Sequence, residues 1–316
     1  MAKAVLVAGG AGFIGSHLCD YLLARGERVI CTDSLITGSR DNILHILQNK
    51  DYKKNFRFIK ADISKKISLG AVSQIYNLAS PASPVDYQDK PLETLQAGSL
   101  GNKNLLEIAR KSRCPYLFAS TSEVYGNPLE HPQKETYWGN VNPVGERSCY
   151  DEAKRFGEAL CISYRKVHDL DAKIVRIFNT YGPRMRKCDG RVVPNFIDQA
   201  LHNKPITVYG KGLQTRSFCY VSDMVDGLYK LMNSPQQGPV NIGNPQEITV
   251  LGLAGLIVKL GRSSSKIEYR QLPGDDPERR LPDISLARDK LGWEPLISLE
   301  DGLTATIANF RSGKQK

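Results

Sequence analysis

An α/β fold, a doubly wound parallel sheet with a smaller C-terminal cap, is what this sequence predicts, on three observations. A short apolar run, Ala4-Val5-Leu6-Val7-Ala8, passes through a glycine turn directly into a helical pattern that reaches Leu22 and Leu23. A second apolar run, Val29-Ile30-Cys31-Thr32, ends on Asp33. Strand-like and helix-like segments then alternate as far as Phe178, which suits a parallel sheet because each return to the same edge needs a crossover helix.

In chain order, apolar runs bounded by turn residues predict strands at 3–9, 28–33, 56–60, 74–79, 115–121 and 172–178. Helical periodicity predicts helices at about 12–25, 38–48, 92–112 and 150–168. The first turn holds Gly10-x-Gly12-x-x-Gly15, where absent Cβ atoms permit a tight turn and close approach to a pyrophosphate on the unpaired N–H groups of the helix N-terminus. Asp33 follows roughly 20 residues later, where a carboxylate accepts hydrogen bonds from an adenosine ribose and repels a 2′-phosphate. NAD is therefore expected in preference to NADP, bound by a Rossmann-type domain over residues 1–178. After Phe178 the texture changes. Asn179-Thr180-Tyr181-Gly182-Pro183-Arg184 is a turn, and shorter elements rich in Gly and Pro follow, with helical stretches at about 192–202, 222–232, 249–260 and 299–311. Residues 179–316 are expected to form mainly a substrate-binding cap, with a segment at about 213–243 returning to the nucleotide-binding part.

Tyr150 and Lys154 stand four residues apart, which puts both on one helix face. A phenol titrates near ~10, too high for a base at neutral pH, but an adjacent ammonium favours the phenolate and lowers that value. Tyr150 is thus expected to accept a proton from a sugar hydroxyl. With Ser120-Thr121-Ser122-Glu123 one segment upstream, the constellation describes a hydride-transfer site.

Composition narrows the class. With 41% apolar and 24% charged residues, the chain has the make-up of a globular protein and the length to bury a sizeable core. The first apolar run is short and glycine-interrupted, unlike a secretory leader or a span of ~20 apolar residues. Seven cysteines without a Cys-x-x-Cys pair suggest free thiols in a reducing compartment, so a cytoplasmic protein without a metal site or a membrane partner is expected. Net charge of +10 admits nucleic acid, but the positive residues are dispersed apart from the tail Arg311-Ser312-Gly313-Lys314-Gln315-Lys316, and no nucleic-acid motif accompanies them. A cluster of Arg184, Arg186, Lys187, Arg191 and Arg216 has a better use as the receptor for a diphosphate.

These motifs carry a resemblance that runs end to end. Gly9-x-x-Gly12-x-x-Gly15, Tyr150-x-x-x-Lys154 and Asn179-Thr180-Tyr181-Gly182-Pro183-Arg184 resemble the extended short-chain dehydrogenase/reductase family that acts on nucleotide sugars. Within that family the chain most resembles the UDP-glucuronate decarboxylases, or UDP-xylose synthases. The narrower likeness rests on Ser120-Thr121-Ser122-Glu123-Val124-Tyr125-Gly126, His131-Pro132-Gln133, the stretch Tyr137-Trp138-Gly139-Asn140-Val141-Asn142-Pro143, and Arg147-Ser148-Cys149-Tyr150-Asp151-Glu152. It extends to Asp189-Gly190-Arg191-Val192-Val193, Gln214-Thr215-Arg216-Ser217-Phe218 and Asp276-Pro277-Glu278-Arg279-Arg280-Leu281-Pro282-Asp283.

The resemblance implies oxidation of the sugar at C4, after which a 4-keto glucuronate, being a β-keto acid, loses its C6 carboxylate as carbon dioxide. The enolate takes a proton at C5, and hydride returns to C4 to give UDP-xylose. Tyr150 and Lys154 would be the catalytic pair, Thr121 would bond the C4 oxygen, Arg280 would lie near the carboxylate, and Glu123 would orient the ring or organise proton delivery. Sugar 4,6-dehydratases carry an acid where this chain has Ser122, and epimerases need no carboxylate at the position of Glu123. Implied cofactor contacts are Gly9, Gly12, Phe13, Ile14, Gly15, Asp33, Asp62, Ile63, Leu78 and Ser80, together with Tyr150 and Lys154. Asn179, Arg191, Tyr209, Gln214 and Arg216 would hold the uridine and diphosphate. The helices at about 92–112 and 150–168 would pair in a homodimer. A 4-epimerase, an oxidative decarboxylase releasing a 4-keto-pentose, and a non-catalytic NAD-binding regulator are the competing readings. Two departures bear on affinity and substrate range: Gln96-Ala97-Gly98 stands where these decarboxylases commonly have Lys-Thr-Asn, and Ser34-Leu35-Ile36 where an Asn and two aromatics are usual.

Overall fold

The computed structural model describes residues 3–187, 190–271 and 279–313. Cys188, Asp189, Asp276-Pro277-Glu278 and the tail residues Lys314, Gln315 and Lys316 lie outside the described residues. Strands β1 (Ala4–Ala8), β2 (Val29–Asp33), β3 (Phe56–Lys60), β4 (Val72–Asn77), β5 (Tyr116–Thr121) and β6 (Ala172–Ile177), with the short strand Val240–Ile242, make one parallel sheet. The spatial order is β3-β2-β1-β4-β5-β6 and then Val240–Ile242. Winding reverses between β1 and β4, and the crevice beyond the carboxyl ends of the strands at such a reversal is where open α/β sheets bind ligands. All six expected strands form. β4 sits two residues earlier than expected because Leu78 and Ala79 leave the sheet to pass over the glycine turn, with Leu78 in backbone contact with Gly9.

The helices are α1 (Phe13–Ala24), α2 (Leu44–Gln48), α3 (Pro84–Asp89), α4 (Pro91–Gln96), α5 (Asn102–Ser112), α6 (Ser148–His168), α7 (Val192–Leu201), α8 (Val221–Met232), α9 (Val250–Gly261), α10 (Ser285–Leu291) and α11 (Leu299–Arg311). On one face of the sheet Leu105, Leu106 and Ala109 of α5 and Cys161 and Tyr164 of α6 pack against Leu6, Ile75, Phe118 and Ile174. On the other, Leu18 and Leu22 of α1 and Val225, Leu228 and Leu231 of α8 pack against Val5, Val7, Leu117 and Val175. A third core, around Phe196, Ile197, Leu253, Ile257, Leu303 and Ile307, joins α7, α9 and α11 in the cap.

The helix expected over 92–112 is α4 and α5 joined by a π turn at Ala97–Gly101. Gly98 makes that turn fit against α6, since a Cβ there would come within 2.7 Å of the Ala153 Cβ. The expected helix at 38–48 begins instead as a 3-10 turn, Arg40–Ile43, capped by Ser39 and followed by α2. α3 and α10, which periodicity does not reveal, are six and seven residues long. Ser83 caps α3 and Pro84 occupies its first turn, a start signal that depends on no repeat. No described helix is long and apolar enough to cross a membrane.

Candidate active site

At the β1–α1 turn, Gly9 has φ +76°, and a Cβ on Gly15 would stand 2.1 Å from the Gly9 carbonyl oxygen. Only hydrogen at both positions leaves the backbone so close to itself and so open to a ligand. Asp33 Oδ2 accepts from the Ala11 N–H at 3.0 Å and Oδ1 from the Leu35 N–H at 2.8 Å, so the acid at the end of β2 also holds the glycine loop. Burial pushes its carboxyl pKa up, against the opposing N–H groups of Leu35, Ala11 and Gly12. Gly9, Gly12, Asp33, Asp62, Ile63, Leu78 and Ser80 line one cleft over the carboxyl ends of β1, β2 and β4. Asp62 Oδ1 there accepts from the Ser64 N–H (2.9 Å) and hydroxyl (2.8 Å). Ser34, Ile36, Gln96 and Ala97 belong to the same wall, so both unusual segments border the cleft. The glycine cradle, the acid at the end of β2 and the helix N-terminus fit a dinucleotide. Phe13 and Ile14 begin α1, with Phe13 turned towards Arg191 and Ile14 packed on the first core.

The catalytic candidates lie at the end of β5 and the start of α6. A bidentate ion pair between Arg176 of β6 and Glu158 of α6 (2.9 and 2.8 Å) and a bond from Ser120 Oγ to Glu158 (2.6 Å) lock this helix onto the sheet. Tyr150 and Lys154 are 6% and 5% exposed. The Lys154 ammonium donates to the Ala119 carbonyl at 2.9 Å and stands 5.6 Å from the centre of the Tyr150 ring. Sequence reasoning has Lys154 lowering the phenol's pKa. The structure instead gives burial as the dominant influence on both groups: it pushes the Tyr150 phenol up, with a Thr121 hydrogen bond and the Arg191 charge opposing only in part, and pulls Lys154 down to about 8. Thr121 is buried at the end of β5, where its hydroxyl also caps the 3-10 turn Ser122–Tyr125 by accepting from the Glu123 N–H at 3.3 Å.

Glu123 is the centre of a charged cluster. One carboxylate oxygen pairs with Arg147 and the other with Arg280. Burial pushes its pKa up, but Arg280 and then Arg147 outweigh burial and hold it at about 2, ionised throughout the ordinary range. Arg280 is 4% exposed and also donates to the Gly126 carbonyl at 3.3 Å. Its register is set from a distance: the Gln133 N–H donates to the Leu281 carbonyl (2.9 Å), and the Leu281 N–H donates to buried Gln133 Oε1 (2.9 Å).

Motif reasoning assigns no role to three neighbours. Arg147 closes the cluster from just before α6. Tyr87 of α3 stacks on Tyr150, ring centres 5.0 Å apart and planes within 10°, and its hydroxyl is buried without a hydrogen-bond partner among the described residues. Asp151, beside Tyr150 on α6, is 6% exposed, and burial followed by the Glu123 charge pushes its pKa up to about 7.

Of the five basic residues expected to receive a diphosphate, two are held by acids and a third borders another cleft. Arg184 pairs with Asp20 at 2.7 Å, Arg186 pairs with Asp86, and Lys187 borders a separate cleft with His202, Arg262 and Arg311. Three helix C-termini meet at that cleft, which accounts for its basic residues. Arg191 stands at the start of α7, 5.9 Å from the centre of the Phe13 ring and near enough to influence Tyr150. Arg216 lies beside Arg280 in strand register, and Asn179 follows β6 with its carbonyl accepting from the Cys219 N–H at 2.9 Å. Tyr209 and Gln214 are joined in the cap, Gln214 Nε2 donating to the Tyr209 carbonyl at 3.0 Å, with no direct bond to the Tyr150 group among those described.

Residues 5–243 match the model of the NAD dependent epimerase/dehydratase family. UDP-glucuronic acid decarboxylase 1 of Arabidopsis thaliana is 50% identical over 308 residues, covering 98% of this chain and 70% of that protein. Its namesake in Xenopus tropicalis is 49% identical over 98% of this chain and 72% of its own length. Among solved structures, UDP-glucose 4-epimerase of Thermotoga maritima superposes with a TM-score of 0.89 at 29% identity, covering 98% of this chain and 99% of that one. UDP-glucuronic acid 4-epimerase of Bacillus cereus, in complex with UDP-glucuronic acid and NAD, gives 0.86 at 28% identity with the same coverage. With a glycine cradle closed by Asp33 and a buried Tyr150–Lys154 pair at the mouth of a seven-stranded parallel sheet, the chain belongs to the NAD dependent epimerase/dehydratase family.

Proposed function

We propose that this protein converts UDP-glucuronate to UDP-xylose and carbon dioxide through a 4-keto intermediate, with NAD recycled in each turnover. One observation carries the reading: beside Tyr150 and Thr121, two guanidinium groups flank one carboxylate that is ionised at neutral pH, a receptor suited to a sugar bearing a C6 carboxylate. The relatives named UDP-glucuronic acid decarboxylases support it at 49–50% identity.

The glycine cradle and Asp33 would hold NAD, which would supply reversible hydride transfer at C4. Tyr150 takes the proton of the C4 hydroxyl and later returns it, while the Thr121 hydroxyl orients the same oxygen. The Lys154 ammonium supplies positive charge beneath the phenol once cofactor and substrate are in place. Arg280 meets the C6 carboxylate and Arg147 stands behind it. Glu123, ionised, holds both and orients the ring; it is no proton donor at neutral pH. Gly9, Gly12, Phe13, Ile14, Gly15, Asp33, Asp62, Ile63, Leu78 and Ser80 form the cofactor's share of the site. Asn179, Arg191, Tyr209, Gln214 and Arg216 hold the nucleotide, and this reading has the cap close on it. The free cysteines suit a cytoplasmic setting, and exposed Leu92, Leu95, Leu100, Phe156 and Ile162 on α4, the π turn and α6 suit a homodimer built on these helices.

Incubation with UDP-glucuronate and catalytic NAD tests the reaction: carbon dioxide and UDP-xylose form, and NADH does not accumulate. Tyr150→Phe, which removes only the proton acceptor, abolishes turnover and leaves NAD binding intact. UDP-galacturonate without gas makes the protein an epimerase, and a 4-keto-pentose with stoichiometric NADH makes it an oxidative decarboxylase.

A further inference from the structure

We propose that Asp151 is a positioning residue that ties substrate binding to a proton: as the sugar carboxylate settles beside Arg147 and Arg280, the Asp151 carboxylate takes one proton from solvent, so the buried cluster accepts the new negative charge without an excess of it. The inference rests on UDP-glucuronate being the substrate.

The geometry comes first. Asp151 is buried in the first turn of α6, and its Oδ1 is shut off from solvent with no hydrogen-bond partner among the described residues. A carboxylate oxygen without a donor in such a place is costly while it carries charge. The groups that face it come from four elements. Glu123 follows β5, Arg147 precedes α6, Arg280 lies in the strand Arg279–Arg280, and Tyr87 lies on α3, with Cys149, Tyr150 and Glu152 along its own helix. Burial and the Glu123 charge push Asp151 up to about 7, with Arg147 and Arg280 opposing.

Charge counting then decides. With Asp151 ionised, Arg147 and Arg280 balance Glu123 and Asp151, and an arriving carboxylate leaves the cluster one charge negative. With Asp151 protonated, the cluster carries one positive charge and the sugar carboxylate cancels it. Unbalanced charge in a buried cluster is strongly disfavoured, so carboxylate binding and protonation favour each other, and by linkage the coupling is reciprocal. A sugar without the carboxylate gains nothing from it. Asp151, acting through Arg147 and Arg280, thereby sorts acidic from neutral sugars.

Calorimetry in two buffers of different ionisation enthalpy reads the proton directly, using NAD-loaded protein silenced by Tyr150→Phe. At pH 8, UDP-glucuronate binding takes up close to one proton and UDP-xylose binding none, and at pH 6 the uptake with UDP-glucuronate largely disappears. UDP-glucuronate affinity falls about tenfold per pH unit above pH 7, a fall that Asp151→Asn removes together with the uptake. Equal uptake with both ligands, no uptake at pH 8, or uptake that persists in Asp151→Asn overturns the proposal. The two-ligand comparison decides even if the Asn variant fails to fold. Carbon dioxide release by the unaltered enzyme reports separately on the reaction, so missing uptake with intact gas release counts against Asp151 alone.

Discussion

Glu123 has its two carboxylate oxygens in different hands, one on Arg147 and one on Arg280, and every partner is mostly shielded from water. Removing one member of such a cluster leaves the others buried without compensation. Glu123→Gln is therefore expected to cost about 3 kcal/mol, the lower end of the range for broken buried pairs because the amide still accepts a hydrogen bond. The pH dependence has a definite sign. The folded-state pKa of about 2 lies below the unfolded value near 4.5, so the stabilisation is full above the latter and drains away as pH falls towards the former. Urea denaturation of both proteins should show a gap that narrows as pH falls below 5. A gap independent of pH would mean that Glu123 stabilises by shape alone. Asp151 has the opposite sign: with its pKa raised to about 7, its ionisation opposes folding as pH climbs through that value.

At the scale of elements, α6 and β5 carry the chemistry, and a short strand far along the chain completes it. Gln133 tethers that strand with its backbone and its buried side chain, which also donates to the Glu130 carbonyl at 2.7 Å. Gln133→Ala keeps the backbone bonds and loses the side-chain ones, so Arg280 loses precision. Turnover is expected to fall about tenfold with NAD affinity unchanged, since small misplacements of a positioned group cost rate before they cost fold. Steady-state kinetics beside an NAD titration would check it, and unchanged turnover would release Gln133 from the role. β1 and β5 were legible in the sequence because they are five or six residues of nearly continuous apolar character, as strands buried on both faces must be. α3 and α10 were not, because six or seven residues span too few turns for a period to emerge. The glycine turn and the Tyr150–Lys154 spacing were visible locally. The meeting of Glu123 with Arg280, 157 residues apart, was visible only through likeness to relatives, and Tyr87 and Asp151 escaped because stacking and an unpartnered oxygen leave no mark on spacing.

At the scale of the whole molecule, the face formed by α4, the π turn and α6 stands apart. Leu92 is 68% exposed, Leu100 53% and Phe156 52%; α4 and the π turn pack on α6, and α6 packs on the sheet. Light scattering is expected to give twice the monomer mass, and Leu92→Glu with Phe156→Glu to give monomers that still bind NAD, because neither side chain lines the dinucleotide cleft. A monomer before mutation would assign the patch to another use.

The short strand Val240–Ile242 has a consequence for how the protein is born. It pairs with β6, and α8, just before it, covers the face of the sheet beside α1, itself sealed by Trp293, whose Nε1 donates to the Asp223 carbonyl at 2.9 Å. A ribosome therefore releases the chain up to Phe178 with one edge of the sheet unpaired and the face beside α1 bare, and both stay open until α8 and the strand Val240–Ile242 follow. A nascent chain in that state is prone to stick to its neighbours. Genetic truncation at Phe178 should yield an insoluble fragment, and chaperone engagement during synthesis should persist until the segment containing Trp293 has left the exit tunnel.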